Sequence, residues 1–161
     1  MEAFLAEKAN LKIVAGPVDL NTAAVTGARV SMKDCKRVAF VVQMGDSTGA
    51  AVDVTLRQHN AASAGTSKDL SVANLYFTKA GTATKFTKVE PSVAAAAYNL
   101  AADFAAQEGI AVFEVLAEDL DTNNGFAWVS MDIADSGAAK LAAVLAVLGG
   151  VGIMPAYSKD I

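Results

Sequence analysis

The pentapeptide Gly45-Asp46-Ser47-Thr48-Gly49 fits the pattern G-x-S-x-G, in which a strained strand-to-helix turn exposes a serine nucleophile beside an oxyanion hole. The base would have to be His59, the single histidine of the chain. Beyond Gly49 the chain shows no helical pattern but strict alternation, with Val52, Val54, Leu56 and Gln58 set against Asp53, Thr55, Arg57 and His59. That is the period of a half-buried strand. The pentapeptide is therefore predicted to be a turn, for which Gly, Asp, Ser and Thr are ordinary residues. His59, on the polar side of its strand, is predicted at the surface or rim.

Residues 119–125 (DLDTNNG) half-match a calcium loop. The glycine comes one position late, the ligand expected as glutamate falls at Ser130, and the flanks read as strands where an EF-hand has helices. A solvated acidic turn is expected, with Glu118, Asp119 and Asp121 as opportunistic cation ligands. Cys35 lies between Asp34 and Lys36; a lysine can lower a thiol's pKa, but nothing around Cys35 resembles a cysteine protease. No glycine-rich loop leads to a lysine, and no pair of carboxylates stands out among the 17 acidic residues. No catalytic, cofactor-binding or metal-ligating residue is assigned, no cofactor is expected, and the chain reads as a protein that is not an enzyme.

The elements that would position these residues are mostly strands. Residues 1–27 read as an N-terminal arm and first strand, with 11–14 (LKIV) extended before a break at Gly16–Pro17. Residues 28–161 read as a single β-rich domain. In 36–44 (KRVAFVVQM) Val38, Phe40, Val42 and Met44 share one face, and Val41 makes the other face apolar too, as in a central strand. With the alternating strand that ends at His59 it is expected to form a hairpin. A second hairpin is expected from 74–79 and 84–89, and a third from 110–116 and 126–133, with Asn124–Gly125 supplying a positive φ in its turn. Pro91, Ser92, an alanine-rich interior and Gly109 predict a helix over 91–108. Residues 137–148 (GAAKLAAVLAVL) lean to helix, with a buried strand as the alternative. The fold class is mainly β: a β-sandwich or jelly-roll-like barrel of antiparallel hairpins with one or two short helices.

Composition bounds the function. Of 161 residues 53% are hydrophobic and 19% charged, enough for one packed core and far from a disordered chain. The net charge is −4 and the basic residues are scattered, which argues against direct nucleic-acid binding. A single cysteine excludes an intrachain disulfide and points to an intracellular setting. The N-terminus lacks the design of a signal peptide, and the uncharged run 141–158 is broken by glycines and Pro155, so no secretion signal and no membrane partner are expected.

The strands over 29–44 and 52–59, the small-residue loop 61–65, the aromatic pair Tyr76–Phe77 and the block 112–133 (VFEVLAEDLDTNNGFAWVSMDI) together resemble small virion structural proteins of tailed bacteriophages, closest to capsid decoration or cement proteins. The resemblance lies in pattern and carries no site residue over. It implies a homo-oligomer, trimer or dimer, made in the host cytoplasm and placed on the virion's capsid surface. There it would bind the major capsid protein at subunit junctions and stabilise the shell. The arm 1–10 could order against a neighbour on binding. A different class, a ligand- or glycan-binding β-sandwich of another phage head or tail component or an adhesin, would need Tyr76, Trp128 or Tyr157 as exposed platforms.

Overall fold

In the computed structural model residues 9–46, 52–71, 76–90, 95–100, 104 and 107–149 are described. Among them the backbone forms two antiparallel sheets packed around one apolar core. The strands are β1 (Asn10–Asp19), β2 (Val30–Ser31), β3 (Arg37–Met44), β4 (Asp53–His59), β5 (Ser67–Asp69), β6 (Tyr76–Ala80), β7 (Thr87–Val89), β8 (Ala97–Asn99), β9 (Gly109–Leu116), β10 (Trp128–Ile133) and β11 (Leu141–Gly149). The six-stranded sheet has the order β1-β11-β3-β9-β6-β7. The five-stranded sheet has the order β2-β10-β4-β5, and β8 pairs with β4 beyond β5 on the same side, opposite Asp53 to Thr55.

The expected mainly-β architecture is the one observed, and β3 is central, flanked by β11 and β9. Its pairing was legible only in part. Of the hairpin expected over 74–89, residues 76–89 do form one, β6 with β7, and 74–75 lie outside the described residues. The other two expected hairpins do not exist: β3 and β4 lie in different sheets, and so do β9 and β10. Except for the β4–β5 and β6–β7 turns, each connection between successive strands carries the chain from one sheet to the other. A corner between sheets and a hairpin within one both preserve alternation, so the pattern alone cannot tell them apart.

Two helix expectations are corrected. Within 91–108, residues Ala97–Asn99 are β8, because Tyr98 is drawn into the core and the short segment pairs with β4. The Phe104 N–H does bond the Leu100 carbonyl at 3.0 Å, one helical turn; residues 91–94, 101–103 and 105–106 lie outside the described set. Gly109, expected to end the helix, instead opens β9 under the Phe104 ring, where a Cβ would stand 2.2 Å from a ring carbon. In the segment read as 137–148, the residues from Leu141 on belong to β11, bonded on both sides, with Ala142, Val144, Ala146 and Leu148 buried. Helix propensity of Ala and Leu differs from that of strand formers by fractions of a kcal/mol per residue, less than two rows of sheet bonds and a buried face supply.

The break expected at Gly16–Pro17 is a distortion within β1. Between Ile13 and Ala15, and again between Ala15 and Val18, β1 carries one residue more than β11, so Ala15 faces Val144 and Val18 faces Ala142. Two such bulges on an edge strand accommodate Pro17, which has no N–H to donate. The core joins the sheets through three rings: Tyr76 of β6 stacks on Phe113 of β9 at 4.8 Å, and Tyr98 of β8 approaches them at 5.4 and 5.2 Å.

Candidate functional site

The two sheets present outer faces of opposite character. On the six-stranded sheet, the residues that alternate with the buried ones are themselves largely apolar. The register aligns Ile13, Leu145, Val41, Val112 and Phe77 in one row across five strands. Leu11, Val147 and Ala39 form the next row, and Ala143, Gln43 and Ile110 the one on the other side. Ile13 is 69% exposed and Leu11 49%. The charged side chains of this face among the described residues are Glu114, Lys79 and Lys88 on β9, β6 and β7, with Arg37 at the start of β3 and Asp19 at the end of β1. The bulged β1 and the small side chain of Ala143 leave a depression of about 270 Å³ lined by Ile13, Gly16, Pro17, Val41 and Leu145.

The outer face of the five-stranded sheet is polar and internally bonded. Arg57 Nε lies 3.3 Å from Asp132 and 3.5 Å from Asp69, and Asn99 donates to Asp53 at 2.6 Å. His59 is buried here, not at the rim as expected. Arg29 folds over it, donating to the carbonyls of Ala61 and Ala64 and to Ser67 Oγ, so the loop 60–66 becomes a cover. His59 Nδ1 lies 2.7 Å from Ser67 Oγ and Nε2 lies 2.9 Å from Ser130 Oγ, which lies 3.4 Å from Asp132 Oδ1. The ends set the direction of this chain: Arg29 can only donate and ionised Asp132 can only accept. Ser67 O–H therefore donates to Nδ1, Nε2–H donates to Ser130 Oγ, and Ser130 donates to Asp132. Burial, reinforced by Arg29 and Arg57, holds the imidazole below its ordinary value near 6.5, so it is neutral at pH 7.

Such a relay could in principle activate Ser67, but Arg29, the nearest candidate to hold an oxyanion, has NH1 committed to two carbonyls. Its evident work is to lock loop 60–66 to the sheet, and it has a pH signature. Unfolding returns His59 to its ordinary value, so below about pH 6.5 the unfolded chain binds a proton that the folded chain refuses. Stability from this site is full above that value and is lost as pH falls through it toward the lower folded pKa. The expected result is that the melting temperature of the wild type drops between about pH 7.5 and about pH 5.5 by more than that of His59→Gln. Parallel pH profiles from calorimetry would contradict this role.

Of the other candidates, Ser47 lies outside the described residues, as does Tyr157. Cys35 is buried, its thiol pushed up by burial and by Asp34, with Sγ 3.5 Å from the Ser31 carbonyl, which is the setting of an unreactive thiol. In the acidic turn, Asp119 accepts the Leu116 N–H at 2.8 Å. Asp121 is bonded by Lys68 and by Asn124, which hold its carboxyl below the usual range. Gly125 takes the left-handed conformation foreseen for it, φ 78°. The turn is thus a clasp: Lys68 also sits 4.5 Å from the Phe126 ring centre, and Gln58 accepts the Asp121 N–H at 2.9 Å. Tyr76 is buried and Trp128 half-buried, which leaves little for a glycan platform. Arg29, Ser67, Ser130 and Asp132 were not singled out from the sequence. The alternation of Ser130 and Asp132 within an otherwise apolar strand was the available signal, but their partners come from 71 and more residues away.

Among the described residues no helix is long and apolar enough to cross a membrane. No protein-family model matches the chain, and no curated protein matches it. One solved structure, that of the SPBc2 prophage-derived protein YomS, is similar at a TM-score of 0.42 and 7% identity over 86% of this chain and 92% of that one.

Proposed function

We propose that this chain is a structural protein of a tailed-phage virion, of the capsid decoration type, which binds the outer surface of the shell through the major capsid protein and stabilises it. The observation that carries the reading is the apolar outer face of the six-stranded sheet, set opposite a polar, ion-paired face. Contiguous apolar surface of this kind on a folded domain marks a protein contact, whereas the opposite face is fit to remain in water. A one-sided module suits a protein that lies on a shell. The resemblance of its strand blocks to decoration proteins names the shell. The reading assigns the chain no catalytic step.

The test is binding to capsids of the parent phage assembled without this protein. Co-sedimentation should saturate at a fixed number of copies per shell, and the decorated shells should release DNA at a higher temperature than bare ones. Deletion of residues 2–9 should weaken binding by removing contacts that many copies multiply through avidity. Shells that sediment without the protein at any concentration would refute the proposal.

A further inference from the structure

We infer that the outer face of the six-stranded sheet is the contact between two copies of this chain, packed face to face. This rests on the assembly reading above: off the shell a second copy covers the face, and the shell replaces that copy on binding. Three observations favour a second copy. The first is shape: Ile13, 69% exposed, stands at the margin of the depression that Gly16, Pro17 and Ala143 leave on the same face. A knob and a hollow side by side on one surface satisfy each other in a two-fold contact, where residue i meets j and j meets i.

The second is charge. On β1, β11 and β3 the three outward rows contain Leu11, Ile13, Val147, Leu145, Ala143, Ala39, Val41 and Gln43, with no ionisable group among them. Two copies, each of net charge −4, repel at long range. Across these three strands they can meet without burying a charge, with Glu114, Lys79 and Arg37 left at the margin.

The third is size. Strands about 4.8 Å apart and rows about 6.8 Å apart give the uncharged positions of the three rows, five in the central row and three in each flanking one, roughly 350 Å². Paired with itself this patch buries on the order of 700 Å² in total, the size of a weak, reversible contact.

Sedimentation velocity of the purified full chain, without capsids, from about 1 to about 100 µM tests this. A dimer is expected, and it should tighten as salt screens the repulsion between acidic copies, the reverse of a contact built on opposite charges. Val41→Lys, which puts a charge at the centre of the patch, should weaken dimerisation at least about 100-fold. Ile13→Glu should do so as well, and since Ile13 is so exposed its melting temperature should match the wild type's at concentrations where both are monomers, separating loss of contact from loss of fold. Thr55→Lys, on the opposite sheet, should dimerise as the wild type does.

A wild type that remains at the 16.5 kDa monomer mass throughout overturns the inference, as do Ile13→Glu and Val41→Lys proteins that dimerise normally. A monomer that still binds capsids would sink the copy-to-copy contact and leave decoration standing. A dimer that ignores capsids would do the reverse.

Discussion

Truncation of Phe113 to alanine should cost about 3–5 kcal/mol of folding stability, lowering the melting temperature by on the order of 10 °C. Phe113 is fully buried at the middle of an inner row that runs Ala146, Phe40, Phe113, Tyr76 and Val89 across five strands. It is also the ring on which Tyr76 stacks and to which Tyr98 of the other sheet leans. Losing it removes apolar transfer energy and two aromatic contacts and leaves a cavity between sheets that hydrogen-bonded strands cannot collapse to fill. Phe113→Leu should cost markedly less because most of the volume is kept. Urea unfolding followed by circular dichroism measures both; a loss under about 1 kcal/mol for the alanine variant would show that the rings do not bind the sheets together.

Gly27→Ala should destabilise the chain by about 1–3 kcal/mol, although the same replacement at an unstrained position commonly stabilises a protein by reducing the entropy of its unfolded state. A Cβ at position 27 would stand 2.1 Å from the Met131 carbonyl oxygen and 2.8 Å from Val14. The carbonyl belongs to β10, which is bonded to β4 over its whole length, so it cannot retreat. Nor can residues 25–28 move away easily. Val25 bridges Ile133, the Gly27 N–H donates to Asp132 at 3.0 Å, and the Ala28 N–H donates to the Val14 carbonyl at 2.8 Å. This segment stitches β1 of one sheet to β10 of the other and carries Arg29 to its place over His59. Gly16→Ala is the matched control, since nothing lies within 4 Å of its Cβ. Thermal melts should show Gly27→Ala lowered and Gly16→Ala unchanged or raised; equal melting temperatures would mean that the close approach at Gly27 relaxes freely.

Both positions bear on the assembly proposed above. The apolar outer face is held in register by the inner rows beneath it, so a loosened core should reach the surface as a misaligned patch. The polar sheet, locked by Arg29, His59 and the Lys68–Asp121 clasp, keeps its loops down and its own face closed to other contacts.

The residues by themselves determined which segments are extended and which of their faces is buried. Val38, Phe40, Val42 and Met44 of β3, and Val52, Val54, Leu56 and Gln58 around β4, are buried as their alternation dictates, because side chains on a strand point to opposite faces with period two. Even the second apolar face of β3, visible in Val41, was legible, and it belongs to the surface proposed for assembly. The tertiary structure alone decided the partners. It placed β3 beside β11 and β9 instead of β4, and it made strands of two alanine-rich segments whose local preference was helical. It also buried His59 by bringing Arg29 and loop 60–66 over a position whose polarity had marked it as exposed. The reason is common to all three. Alternation and propensity report on a residue and its near neighbours, whereas pairing, burial and the matching of hydrogen bonds are settled by segments that are distant in the chain and meet only in the folded sandwich.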